Sequence, residues 1–497
     1  MNTYTLVALA AYCALMVGIG IHAWAKTRAD SAGYLLAGRN LSPSVTALSA
    51  GASDMSGWLL LGLPGALFAS GLAEAWIAIG LTIGAALNWI IVAPRLREQT
   101  ERLGDALTIP QFLANRFPDS GTALRMVSAV IIVGFFTVYT ASGMVGGGKL
   151  FATAFAGLLP ATGLSDYMLG ILVTAGIVLV YTMIGGFLAV SLTDFVQGMI
   201  MMSALVVMPL VILSGHGSNA PLRLSAVPQE GFLSLTEGAT LVGIVSAVTW
   251  GLGYFGQPHI IVRFMAIDRV ENVRRAGIIG MGWMVISLLG AVAVGLVGRA
   301  YAEANGLVVE DPETIFIILS QLLFHPAVTG FLYAALLAAI MSTISAQLLV
   351  SSSSLTEDFY RLFLRRNASE REAVTIGRIS VALVAGAALV IAADPQSEVL
   401  GLVANAWAGF GAAFGPLIVL ALTWDRMTGA GAVAGLVTGA GVVAGWIALG
   451  WNAEFLGGPG LYEIVPGFFA ALAAIVGVSL LTGRRVREAF PPRRSGA

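Results

Sequence analysis

Asp54 stands in the stretch GASDMSGW, the one charge in an apolar run from Leu41 to Leu72. A carboxylate at mid-membrane costs about 3 kcal/mol even on the lenient insertion scale, so by default it marks a functional site. Its neighbours Ala52 and Met55 have only backbone oxygens to offer, and a helix that unwinds in a membrane frees such carbonyls for a cation. Sodium is a hard cation and takes oxygen ligands. A second oxygen-rich stretch, AAIMSTISAQLLVSSSS, covers 338–354. The hydroxyls of Ser342 and Thr343 and the carbonyl of Ala339 would complete a five-oxygen shell with Ala52 and Met55. Serine and threonine in membrane helices also bond simply to their own backbone or to a neighbouring helix. If Asp54 is structural, Lys149, the one basic residue within a span, is its candidate partner. Asp194, in SLTDFVQG, is the second acid in an apolar run, read either as a site or as a bond between helices.

Composition says what must position these groups. Of 497 residues, 57% are hydrophobic and 11% charged, against about 25% charged in a soluble domain. The chain reads as an all-α integral membrane protein, with about thirteen transmembrane helices marked by long apolar runs. The runs 165–185 and 188–214 read as two spans, and 313–353 is long enough to hold an interfacial helix ahead of its span. Leu6–Trp24 is too long for a signal h-region and its basic residues follow it, so it reads as a retained span. With the N-terminus out and the C-terminus in, every lysine and arginine except Lys149, Arg223 and Arg299 falls on the cytoplasmic side. Residues 1–483 read as one transmembrane domain, and 484–497, RRVREAFPPRRSGA, as a basic cytoplasmic tail. A net charge of -1 points to no nucleic acid, and the single Cys13 permits no disulfide within the chain. The four histidines lack metal-ligand spacing, and no nucleophile–base pair supports an enzyme.

Two spans are interrupted. The second carries SAGASDMSGW and then GLPGALFASG, and the seventh carries WGLGYFGQPH at 250–259. Under the orientation above they cross the bilayer in opposite directions. Glycine- and proline-broken helices at matching places in inverted halves, here about 43–214 and 238–422, point to a transporter's binding site. GLGYFG matches a dinucleotide-binding pattern but lacks the preceding strand and soluble βαβ unit. The small residues of 429–445 fit close helix packing.

Five blocks resemble the sodium/solute symporter family, and within it the bacterial sodium/proline branch. They are SAGASDMSGWLLLGLPGA, FFTVYTASG, TMIGGFLAVSLTDFVQG, WGLGYFGQPHI and AAIMSTISAQLLVSSSSLTEDFY. The resemblance spans nearly the whole chain. It implies a leucine-transporter-like fold with two inverted five-helix repeats, and import of L-proline with sodium across the bacterial inner membrane by alternating access. It implies sodium at Ala52, Met55, Ala339, Ser342 and Thr343. It also implies that Asp54 serves the sodium and substrate site, and that Ser56, Gly57, Tyr139, Trp250, Tyr254 and Pro258 serve the substrate. Some relatives hold a second sodium near an acid matching Asp194 and hydroxyls matching Ser342, Ser345 and the next position. That position is Ala346 here, so one sodium per substrate is expected, with Asp194 left between a second sodium and a structural role.

The residues themselves suit a zwitterion. Broken-helix amides favour its carboxylate, and Trp250 and Tyr254 offer a surface for its ring. A sugar would ask for several amide or acid side chains, and the interrupted spans offer Gln257. The alternatives are another cargo (pantothenate, a short carboxylate or a sugar), proton coupling, or a membrane nutrient sensor. The short stretch after Thr482 speaks against a sensor. Membrane lipid is the remaining expected partner, with no protein partner evident.

Overall fold

The computed structural model describes residues 2–26, 31–156, 163–215, 224 and 227–483. The basic tail expected at 484–497 lies outside the described residues. In chain order the first helices are α1 Thr3–Lys26, α2 Ser31–Leu36, α3 Pro43–Asp54, α4 Gly57–Leu60 and α5 Gly62–Ser70. Next come α6 Ala75–Leu87, a π-helical turn Asn88–Val92, α7 Ala93–Arg102, α8 Ile109–Arg116, α9 Gly121–Ala154 and α10 Asp166–Leu213. The second half holds α11 Leu241–Val248, a 3-10 segment Thr249–Gly256, α12 Pro258–Ala266, α13 Val273–Asn305 and α14 Ile315–Leu323. It continues with α15 Pro326–Ser353, a π-helical stretch Ser354–Leu364, α16 Glu370–Ala392, α17 Val399–Thr423, α18 Gly429–Ala448 and α19 Ile464–Thr482. A two-residue antiparallel pair, Glu454–Phe455 with Gly458–Pro459, precedes α19. Among the described residues, 10 helices are long and apolar enough to cross a membrane, and shorter apolar helices cover 57–70, 166–180, 241–256 and 312–323.

Local chemistry sets the breaks. In α10 the chain leaves helical geometry at Gly186 (φ 60, ψ -166), a conformation open to glycine alone at little cost. One hydrogen-bonded run therefore makes two rods, close to the two spans the apolar pattern separates. The run 313–353 divides as its length suggests: α14 ends before Pro326, whose ring suits the first turn of α15. The second span ends its first helix at Asp54, and Ser56 caps the next one through the Trp58 amide. In the seventh span the 3-10 segment gives way at Gln257, and Pro258 starts α12.

Both breaks are buried, and small residues bring the backbones together there. A Cβ on Gly84 would lie 2.0 Å from the Gly251 carbonyl, and one on Gly80 would lie 2.2 Å from that of Val248. So α6 rests directly on the backbone of the 3-10 segment. A Cβ on Gly57 would lie 3.1 Å from Ile340 Cγ1, which brings the second-span break against α15. The middle of α15, including Ala338, Ala339, Ser342, Thr343 and Ser345, is buried.

Candidate functional site

Four of the five expected sodium oxygens come together. The Ser342 hydroxyl lies 2.8 Å from the Ala52 carbonyl and 3.0 Å from that of Ala339. Thr343 Oγ1 lies 3.3 Å from the Ala339 carbonyl. In this arrangement the hydroxyls donate to those carbonyls. Turning each proton outward would aim the same oxygens at a cation between α3 and α15. Met55 ends α3 beside them, with backbone angles that leave the helix (φ -77, ψ 79). All five residues are buried, so a cation there is screened from solvent. Ser345 Oγ instead bonds back to Ser342 O at 2.9 Å, within its own helix.

Asp54 faces another way. Tyr254 donates its hydroxyl to Asp54 Oδ2. The Asp54 carbonyl accepts from Tyr139 OH and Trp58 Nε1, both at 3.2 Å, and from the Ser56 amide at 2.9 Å. Two of the expected substrate residues, Tyr139 and Tyr254, therefore hold the turn that bears Asp54. Trp250 lies in an aromatic layer: its ring is 5.3 Å from Tyr462, 6.5 Å from Trp407 and 6.5 Å from Trp58. Trp407 Nε1 donates to the Trp250 carbonyl at 2.7 Å, and its ring meets Tyr254 edge-on at 5.1 Å. Pro258 lies apart from this group. It lines a separate, mostly apolar cavity with Leu35, Phe187, Leu349 and Ser353.

Lys149 is not the partner of Asp54. Its ammonium lies 2.6 Å from Asp311 and 2.9 Å from Glu313. Lys149 is within two turns of the end of α9, where its long stem reaches the acids ahead of α14. Glu313 also accepts the Val399 and Leu400 amides at 2.9 Å, so the carboxylate sits on the N-terminus of α17. Asp194 is held by chain groups: Ser49 Oγ at 2.7 Å and Arg263 at 3.1 Å. The Arg263 guanidinium also lies over the Phe187 ring, 5.2 Å from its centre. Both contacts fall on Asp194 Oδ2 and link α10 to α3 and α12, through an arginine the sequence does not flag, while Asp194 Oδ1 has no partner among the described residues.

Other groups at the breaks were missed by reading the sequence. His259 is fully buried, edge-on to Tyr139 and Phe136, and neither ring nitrogen has a partner among the described residues. Trp407 and Tyr462 come from later elements, and nothing in their local sequence sets them apart.

The architecture finds its counterpart among known proteins. The family model of the sodium:solute symporter family matches residues 34–439. An osmoregulated proline transporter of Bacillus subtilis is 51% identical over 492 residues, covering 99% of this chain and 97% of its own length. A high-affinity proline transporter of the same organism is 52% identical, over 94% of this chain and 96% of its own. A sodium/proline symporter of Staphylococcus aureus is 50% identical, over 97% and 93% respectively. Among solved structures, a sodium-coupled sialic acid symporter in a substrate-bound outward-open state superposes with a TM-score of 0.78 at 17% identity, covering 97% of this chain and 98% of that one. A nucleobase-cation-symport-1 family transporter in a closed conformation gives 0.55 at 14% identity, over 90% and 94%. The fold is that of the leucine-transporter-like sodium symporters. The chain belongs to the sodium:solute symporter family.

Proposed function

We propose that the chain is a multi-pass membrane transporter that imports L-proline with sodium, one ion per substrate, by alternating access. One contact carries the reading. The Ser342 hydroxyl meets the Ala52 carbonyl two residues ahead of the Asp54 turn, so an ion held there also fixes the turn. Relatives about half identical over nearly the full chain are named proline transporters and sodium/proline symporters, which supports the cargo and the ion.

In this reading the chain crosses the bacterial inner membrane thirteen times, N-terminus outside, with α10 counted as two rods and each broken span as one. Inverted repeats at about 43–214 and 238–422 surround the sites. Sodium enters from outside, binds the oxygens of Ala52, Met55, Ala339, Ser342 and Thr343, and orders the break. Proline then binds near Asp54, Ser56 and Gly57, with Tyr139, Tyr254 and Trp250 as its aromatic walls. Pro258 lines the cavity at the basic, cytoplasmic end of the break, on the way out. The aromatic layer of Trp250, Trp407 and Tyr462 closes the opposite side. A potential of 100 mV and a tenfold sodium gradient together supply about 3.7 kcal/mol, enough for accumulation of several hundredfold.

The test is labelled L-proline uptake into proteoliposomes under imposed sodium, potassium or proton gradients. Uptake driven by inward sodium alone is expected. Uptake driven equally by protons would overturn the ion, and no uptake by folded protein under any gradient would overturn the cargo.

A further inference from the structure

Two buried oxygens near the break have no partner among the described residues. Asp54 Oδ2 is taken by Tyr254, but Asp54 Oδ1 is unbonded, and so is the amide oxygen of Asn88. Both residues are 1% exposed and line one cavity. Leaving a buried acceptor unmet costs about 1–3 kcal/mol each, so two in one cavity point to a group that arrives from outside. Asn88 also opens the π-helical turn Asn88–Val92 inside an otherwise α-helical span, a distortion frequent at functional sites.

The rest of the lining says what kind of group fits. Beside the two oxygens stand Tyr254, Trp89, Phe264, Met55 and Met284, whose sulfur faces the Tyr254 hydroxyl. Sodium wants a nearly complete oxygen shell, and aromatic rings and sulfur do not supply one. An organic ammonium differs: it spends its N–H donors on a few acceptors and rests the remaining charge against aromatic faces. The Asp54 carboxylate offsets that charge. A secondary ammonium carries two N–H donors, matching the two open oxygens.

We propose that Asp54 Oδ1 and Asn88 Oδ1 receive the secondary ammonium of the substrate, one N–H each. Asn88 thereby becomes a substrate-contact and specificity residue. The inference rests on the proline reading above and adds where the nitrogen goes and which residue reads it.

The test is equilibrium binding of labelled L-proline to purified protein at saturating sodium, with N-methyl-L-proline, which has one N–H, as competitor. The wild type, Asn88→Ala and Asn88→Asp are compared. A hydrogen bond to a charged group corresponds to about 10- to 100-fold in affinity. The wild type should prefer proline over its N-methyl analogue by that factor. Asn88→Ala should weaken proline binding by about 10- to 100-fold and bring the two ligands within about threefold of each other. Asn88→Asp, which keeps an acceptor oxygen at that point, should keep the preference. Sodium binding measured without proline should be unchanged in Asn88→Ala, which a general structural defect or a sodium ligand would not allow. An Asn88→Ala protein that keeps the wild-type preference, or one whose sodium binding shifts as much as its proline binding, overturns the assignment. A folded wild type that shows no sodium-dependent proline binding overturns the proline reading itself, and this inference with it.

Discussion

Ser342→Ala is the sharpest perturbation of the proposed ion site. Alanine keeps the helix and has the higher helix propensity, so α15 itself should persist. What is lost is one oxygen, 2.8 Å from Ala52 O and 3.0 Å from Ala339 O. It is the side-chain oxygen that reaches carbonyls on both α3 and α15, so a cation bridging the two helices needs it most. A polar group facing a charge is worth about 1.5–3 kcal/mol, which predicts sodium affinity weaker by about 10- to 150-fold. The cost to folding is smaller, about 1 kcal/mol for a donor removed from Ala52 O. Among the described residues Thr343 Oγ1 meets the Ala339 carbonyl alone, at 3.3 Å, so Thr343→Ala should cost less than Ser342→Ala. The assay is equilibrium binding of labelled proline across a sodium titration. Because linkage is reciprocal, proline affinity should fall at low sodium and return toward wild type as sodium saturates. Folded Ser342→Ala with wild-type sodium dependence, or with the same loss at every sodium concentration, refutes the shell.

Gly84→Ala should block folding or abolish transport, because its Cβ would meet backbone, 2.0 Å from Gly251 O, where no side chain can yield. Gly134→Ala, with nothing within 4 Å of its Cβ, should instead stabilise the helix by about 0.5–1 kcal/mol; thermal unfolding of the two in detergent separates them. Arg263→Met should destabilise by about 3–5 kcal/mol by stranding the buried Asp194, and adding Asp194→Leu should recover much of that loss. If the single variant matches the wild type in melting temperature, the pair does not hold α10 to α12. Burial pushes the Glu463 carboxyl up to about 7, and its Oε1 has no partner among the described residues. The folded protein thus holds this proton more tightly than the unfolded chain, so stability falls as pH rises from the ordinary carboxyl range through 7. Glu463→Gln should gain about 1–3 kcal/mol at pH 8 and little at pH 4; an equal gain at both would show that the carboxylate is not the cause.

The residues that announced themselves in the sequence did so by breaking a pattern. Asp54 is a charge in an apolar run, and Gly and Pro cluster at the two interruptions. Those signals are local, and so are the helix ends they produce. Pairings were not legible, because they join distant segments. Tyr254 lies 200 residues from Asp54, and Lys149 meets acids that follow it by 162 residues and more. Reach and packing choose those partners, and nothing in the flanking sequence records them. Asn88 is hard to read for a different reason. It is neutral, so it raised no charge alarm, although a lone amide in GAALNWIIV was a signal of the same kind. By its place in the sequence Arg263 falls with the cytoplasmic basic residues, yet the structure buries it completely.

With ion and substrate at the proposed sites, the short turn at the break explains how they can be coupled without a long pathway. Ala52 gives its carbonyl to the α15 side, at 2.8 Å from Ser342. Two residues on, Asp54 sends its carboxylate to the Tyr254 side and its carbonyl to Tyr139 and Trp58. Adjacent backbone units have only two soft dihedrals per residue. A cation that fixes the Ala52 carbonyl therefore limits where the Asp54 carboxylate can point. The reverse holds as well: a substrate that pulls on Asp54 sets the aim of Ala52. A lone helix terminus could not do this, since its carbonyls would be free to turn toward water. Here the turn is buried and held by α15, Tyr139, Trp58 and Tyr254, so the two orientations are expected to change together. Coupling energy should thus collapse when the turn is loosened even if every ligand oxygen is kept. Tyr139→Phe removes one of those holds, the bond to Asp54 O, and touches no oxygen of the sodium shell. Sodium and proline should each still bind it alone, while the factor by which one tightens the other shrinks. An unchanged coupling factor in that variant would show that the turn is not the link.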